Sequence, residues 1–206
     1  MFLDFNGGDI REFIVNGKAV ENQTIMERWK ENKIYLNNAL LNDSEVNEVQ
    51  FSVINKFNND QFGFVIGHDP DGGRYVYIQT VPYYASRILP MFDQPDLKGT
   101  YEMSVIHSDK DTCVTTGPLL STDRLTDVFN SEISGWSVAQ AKKMNPKIEG
   151  SSISVFERTP YLSTYLLNLV CGPLVSISAT PEQQYNGISM KVMCRRITDV
   201  NYRIFS

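Results

Sequence analysis

Short runs of β-branched and aromatic residues, cut at close intervals by Gly, Pro, Asn and Asp, fill the chain from Phe2 to Arg195. Runs of that length and composition suit a pleated, half-buried strand better than a helix. The sharpest punctuation is Asn16-Gly17, directly after Phe13-Ile14-Val15. A two-residue hairpin turn needs positive φ at its central residues, which Asn and Gly accept most readily. Before it, Phe2-Leu3-Asp4-Phe5 reads as a strand that ends at Gly7-Gly8. After a polar stretch that fits neither pattern, further strands are expected at Val46–Ile54, Phe62–Ile66, Arg74–Gln79, Gly99–Ile106 and Val114–Thr116. Three more follow at Ser151–Glu157, Tyr161–Val170 and Ile188–Arg195. The cluster His68-Asp69-Pro70-Asp71-Gly72-Gly73 is a turn that introduces the alternating strand Arg74–Gln79.

One segment departs from this pattern. Ser121 or Thr122 suits a helix N-cap, and Leu125, Val128, Phe129 and Ile133 then fall at helical spacing. A helical segment is expected over residues 122–147, serving either as a docking element or as an ordinary helix packed on its own sheet. No repeat or linker divides the chain, so residues 1–206 read as one mostly β domain.

Composition narrows the partners. The net charge is −5 and Lys and Arg form no run, which argues against nucleic acid. No stretch of about 20 apolar residues is present, so no membrane span is expected. The first residues, MFLDFNGGDIREF, carry acids where a signal peptide would not. Cys113, Cys171 and Cys194 are odd in number and lack metal-ligand spacing. They read as buried free thiols of a reducing compartment rather than as a disulfide. The expectation is a soluble, intracellular chain in the cytosol, an organelle matrix or a cytoskeletal assembly, and not a secreted one.

Two stretches carry more specific information. YVYIQTVPYYASRILPMFDQPDLKGTYEMSV runs from Tyr75 to Val105, and RTPYLSTYLLNLVCG from Arg158 to Gly172. Together they resemble the paired hallmarks of the N-terminal β domain of the aminopeptidase N and leukotriene hydrolase family of zinc aminopeptidases. That family writes them Y-x-Q-F-E-P-x-x-A-R-R-x-F-P-C-F-D-[EQ]-P-x-x-K-A-T-F and T-P-x-M-S-T-Y-L-x-A-F. FLDF at Phe2–Phe5 and VNGK at Val15–Lys18 resemble its hairpin as well. The resemblance implies a saddle-like antiparallel or mixed β-sheet sandwich. Against that pattern the family's opening strands are missing before Met1, and residues 121–147 look like an insertion.

The resemblance also assigns roles. In the family the glutamine at Gln79 helps to orient the substrate's free α-amine, and the glutamate after it supplies the matching charge. Here that glutamate position holds Val81, which neither accepts a hydrogen bond nor balances a charge. Gln79 is therefore either a remnant of a substrate-binding pair or a polar strand end satisfied by backbone. Phe92–Lys98 is intact, and its role is structural: Asp93 caps the turn, Pro95 fixes φ, and Lys98 pairs with an acid. Ser86 and Met91 replace the usual Arg and Cys, and Asn168 replaces an alanine.

A zinc peptidase of this type needs H-E-x-x-H on a helix and a more distant glutamate. The chain has two histidines, His68 and His107, with no partner at helical spacing, and both read as surface loop residues. No G-x-M-E-N loop, nucleophile elbow or phosphate-binding glycine loop occurs. No catalytic residue, metal or cofactor is expected from this chain. The preferred expectation is a non-catalytic, aminopeptidase-derived domain working as a structural or protein-interaction subunit. Its partners would be other protein chains that complete an open sheet edge, with Leu125, Val128, Phe129 and Ile133 as interaction candidates. The alternative is the N-terminal domain or a split piece of a zinc aminopeptidase, shaping the cleft while another chain or segment carries the zinc. A third reading is a module that binds peptide ends through Gln79, Tyr83 and Tyr84.

Overall fold

The computed structural model describes residues 1–126, 132–133, 136–137, 149–180, 184, 186–188 and 190–195. The N-terminal part folds around the hairpin that the sequence announces. Strands β2 (Asp9–Val15) and β3 (Lys18–Ala19) pair Val15 with Lys18, and Asn16 and Gly17 take φ of 49° and 75°. On the other side of β2 runs β6 (Val49–Ile54), antiparallel, with a register shift between Ile10 and Glu12. A second sheet joins β1 (Phe2–Asp4), β5 (Lys33–Tyr35) and β4 (Trp29–Lys30) in the order β1-β5-β4. The two sheets share one core of Leu3, Phe5, Phe13, Val15, Ile34 and Leu36, capped by Ile25 from the short helix α1 (Asn22–Arg28). Along β2 the buried residues Phe13 and Val15 alternate with the half-buried Ile14, as period-2 geometry demands.

The remainder builds two further antiparallel sheets, one of four strands and one of three. One has the order β10-β15-β8-β7, from β7 (Gly63–His68), β8 (Arg74–Gln79), β10 (Thr112–Thr115) and β15 (Leu169–Gly172). The other has the order β11-β14-β9, from β9 (Ser104–Ser108), β11 (Leu119–Arg124) and β14 (Ser151–Phe156). The hairpin β16 (Leu174–Ser178) and β17 (Lys191–Arg195) follows. A two-residue ladder pairs β12 (Glu132–Ile133) with β13 (Trp136–Ser137). The mostly β class is therefore observed, and no helix of the described residues is long and apolar enough to cross a membrane.

Three expectations are corrected. First, the described part of 122–147 is not helical: Thr122–Arg124 belong to β11, and Ile133 lies in β12. Ser, Thr and Asp suit an exposed edge strand as well as a helix cap, and pairing with β14 satisfies backbone groups that a helix would bond locally. Val128 and Phe129 lie outside the described residues.

Second, Tyr161–Val170 is not one strand. Leu162 makes an isolated bridge to Gly99, a 3-10 turn spans Thr164–Leu166, and regular pairing starts only at Leu169. The hydroxyls of Ser163 and Thr164 bond across to the other signature stretch, which replaces a ladder there.

Third, Cys113 and Cys171 are not free thiols. They face each other on β10 and β15 with 4.2 Å between their Cα atoms, and they form a disulfide. That separation is typical of directly opposed, non-hydrogen-bonded antiparallel pairs. A sequence separation of 58 residues conceals the pairing from any local reading. The free cysteine among the described residues is Cys194, so the thiol argument for a reducing compartment loses its support.

Candidate functional site

The two signature stretches meet. Asp93 sits between them: its Oδ2 accepts the Ser86 N–H at 2.8 Å, and its Oδ1 accepts the Thr164 hydroxyl at 2.7 Å. The Asp93 N–H donates in turn to Asp4 Oδ2 at 3.3 Å, which ties the N-terminal strand to the same point. Ser163 Oγ donates to the Pro95 carbonyl at 2.5 Å. Thr80 Oγ1 lies 2.8 Å from the Tyr165 carbonyl and 3.0 Å from that of Leu167. Tyr101 and Thr159 exchange two bonds, Thr159 N–H to the Tyr101 carbonyl and Tyr101 N–H to Thr159 Oγ1. Ile78, Ile88, Leu162 and Leu167 form a small apolar core beside this polar clamp. Desolvation, and secondarily the Asp93 charge, push the Tyr101 hydroxyl above its ordinary pKa.

Beside that apolar core the clamp also buries hydroxyls and leaves several large apolar side chains in water. Thr80, Thr159, Ser163 and Thr164 are all buried, whereas Val81, Tyr83, Phe92, Leu97, Tyr161 and Leu166 remain 40% to 75% exposed. Each buried hydroxyl has a partner, so burying it carries no orphan penalty. The apolar side chains keep a rim of hydrocarbon in contact with water. Sequence reasoning singled out Tyr83 for binding but not the rest of this rim, because which motif side chains face water depends on the tertiary fold.

Gln79 is the last residue of β8 and is exposed, paired with Gly63 on β7. Gly63 has φ of +73°, and a Cβ there would come within 2.8 Å of the Arg87 Cβ. Only glycine allows that approach. Beyond Gln79 the chain turns inward at Thr80 and out again at Val81, whose bond to Pro82 is cis. An open cleft of about 380 Å³ lies nearby, lined by Asp4, Asn32, Tyr83, Tyr84, Arg87 and Asp93 among others. Gln79 does not line it, so the cleft does not unite Gln79 with Tyr83 and Tyr84. Its charged groups already have partners: Arg87 pairs with Asp60 at 2.5 Å and lies over the Tyr84 ring, and Asp93 is fully engaged in the clamp. The hydrogen bond from Arg87 holds the exposed Asp60 carboxyl below its ordinary pKa. Lys98, expected to pair with an acid, has no ion-pair partner among the described residues.

Of the residues singled out for interaction, Leu125 is 1% exposed and its N–H donates to the Ser151 carbonyl. It anchors the end of β11 inside this chain. Ile133 contributes backbone to the β12–β13 ladder.

The histidines separate. His68 is exposed at the end of β7, beside the Asp69–Gly73 turn. His107, expected on the surface, is instead buried on β9, because that position faces inward between the sheets. Its Nδ1 lies 2.8 Å from the Ser108 carbonyl and its Nε2 2.8 Å from Ser154 Oγ. Two histidines on separate strands cannot supply the i, i+4 pair of a peptidase zinc helix, so the catalytic zinc of that chemistry has no fit to this chain.

Comparison with known proteins agrees with the architecture. The chain is 25% identical to a probable aminopeptidase 1 of Sulfurisphaera tokodaii over 218 aligned residues, 98% of this chain and 23% of that protein. It is 24% identical to aminopeptidase N of Streptomyces lividans across 94% of this chain and 19% of that one. Aminopeptidase Q of Mus musculus is 32% identical over 55% of this chain and 17% of its own length. The chain thus spans roughly a fifth of the relatives it matches. A crystal structure of Legionella pneumophila aminopeptidase A in complex with aspartic acid superposes with a TM-score of 0.67 and 14% identity, over 94% of this chain and 19% of that one. At that identity the likeness concerns the fold alone. The family model of the peptidase M1 N-terminal domain matches residues 9–137, and the chain belongs to that family.

Proposed function

We propose that this chain is a non-catalytic structural and interaction domain, and that the apolar rim around its clamp seats another polypeptide segment. The observation that carries this reading is the exposure of large apolar side chains within the signature stretches, beside hydroxyls that are buried. Hydroxyls are turned in and fully bonded, while Tyr83 and Tyr161 are turned out at 64% and 75% exposure. A small domain that leaves so much aromatic surface uncovered gains by burying it against a partner. The loss of charge at Val81 and the engagement of Arg87 and Asp93 within the chain leave no obvious catalytic group at this place.

The relatives favour a second reading, in which the covering segment carries the zinc chemistry and this domain shapes one wall of the cleft. Purification of the native protein, identification of what accompanies it, and an aminoacyl-anilide assay with and without a chelator separate the two. Under the first reading a stable complex forms without chelator-sensitive activity, and Tyr83→Ser with Tyr161→Ser releases the partner. Chelator-sensitive hydrolysis that requires this chain overturns it in favour of the second. A native protein that is monomeric, inactive and unaffected by the rim substitutions overturns both.

A further inference from the structure

We propose that His107, Cys113 and Cys171 form a buried thiolate–imidazole site for a soft divalent cation such as Zn²⁺, which the Cys113–Cys171 disulfide closes off and its reduction opens. Three strands bring the residues together: β9 carries His107, β10 carries Cys113, and β15 carries Cys171. The two sulfurs and a ring nitrogen of His107 all lie within 4.8 Å of one another. The closeness of the sulfurs is that of the disulfide, and once it is reduced, side-chain rotation can part them to the roughly 3.6–3.8 Å spacing set by Zn–S and Zn–N bonds of about 2.3 and 2.0 Å. Thiolate and imidazole are the donors that select zinc over calcium or magnesium.

The imidazole already holds the tautomer the role needs. A carbonyl can only accept, so the 2.8 Å contact to the Ser108 carbonyl places the proton of the neutral ring on Nδ1. The lone pair is then on Nε2, the usual arrangement for a ligating histidine whose other nitrogen is held by backbone. In the oxidised form that lone pair accepts from Ser154 Oγ, which is also 2.8 Å from Thr122 Oγ1. When a cation takes Nε2, the Ser154 hydroxyl can turn and donate to Thr122, so no buried polar group is orphaned.

The chemistry balances with a dithiol reductant. Two electrons and two protons pass from the dithiol to the disulfide, leaving Cys113 and Cys171 as thiols and the reductant as its own disulfide. The cation then displaces both thiol protons to solvent and accepts the Nε2 lone pair. A water can occupy the fourth position. The site uses neither the clamp nor Gln79.

The test is titration of the whole chain with Co²⁺, read by thiolate-to-cobalt charge-transfer absorption, followed by displacement with Zn²⁺. The reduced protein is expected to bind one equivalent and the oxidised protein none. Cys194→Ser should bind as the wild type does, and His107→Ala should weaken binding by more than about 100-fold, beyond the loss caused by an outer-shell change. The comparison of oxidised with reduced wild type needs no variant to fold. The proposal is overturned if the reduced chain takes up no stoichiometric metal, or if it unfolds and metal does not restore it. Equal binding by His107→Ala, or loss of binding in Cys194→Ser, overturns it as well.

Discussion

The N-terminal sheets and the clamp region pack differently within one chain. Around the Asn16-Gly17 hairpin, Leu3, Phe5, Phe13, Val15 and Ile34 are turned inward and nearly inaccessible, and the polar residues face water. Around Asp93 hydroxyls are inside, and Tyr83, Phe92 and Tyr161 are exposed. The first region holds itself together by burying hydrocarbon, which is non-directional and tolerant of detail. The second adds directional bonds between residues far apart in sequence to a smaller apolar core, and it leaves several large apolar side chains in water. A fold can therefore preserve a family's signature for its internal geometry while its outer surface answers to a different demand.

That contrast can be broken or sharpened by substitution, with stability measured by urea unfolding. The largest loss belongs to the hydrophobic region. Phe5→Ala removes a fully buried ring stacked on Trp29 at 5.1 Å and should cost about 4 kcal/mol. Asp93→Ala comes next: it strips the acceptor from the Ser86 N–H and the Thr164 hydroxyl, and about 3 kcal/mol is expected from two charge-assisted bonds. If Asp93→Ala proves neutral, the clamp is not what holds this region. Thr80→Val keeps the shape but leaves the Tyr165 and Leu167 carbonyls without their hydroxyl donor, for about 2 kcal/mol.

At the small end, Tyr161→Ser should change the stability of the isolated chain by less than about 0.5 kcal/mol, since the ring is largely in water. A loss comparable to that of Phe5→Ala would show that the rim is packed within the chain and remove its claim as a docking surface. The smallest effect is one of pH. Desolvation raises the pKa of Asp111, against the opposing influence of His107 and Arg74. A raised carboxyl pKa favours the fold fully below the unfolded value, near 3.8, and that contribution fades as pH rises through the folded value. Asp111→Asn should therefore show a slight gain in melting temperature at neutral pH that disappears in acid. An equal gain at both pH values would exclude titration as its cause.

Much of the first region was legible. Asn16-Gly17 demanded positive φ, the Phe13–Val15 alternation demanded a face, and both demands are local. The strand pattern, the mostly β class and the signature stretches belong to the same category. Less was legible where local signals serve two structures. Ser121, Thr122 and Asp123 cap helices and also sit on exposed strand edges, and the choice fell to pairing with β14. Gln79 was correctly located at a strand end, but its separation from the cleft depends on where the turn through Thr80 and Pro82 leads.

From the sequence alone came most of the longer strands, the hairpin turn and the family, because φ preferences, alternation and motif spacing act over a few residues at a time. Tertiary structure alone decided that Thr80, Thr159, Ser163 and Thr164 are buried while Tyr83 and Tyr161 are exposed, that Cys113 meets Cys171, and that His107 lies between the sheets beside them. Those outcomes depend on which strands become neighbours. Contacts across 58 or 71 residues, such as Cys113 to Cys171 and Asp93 to Thr164, form only when the whole chain has closed its loops around them.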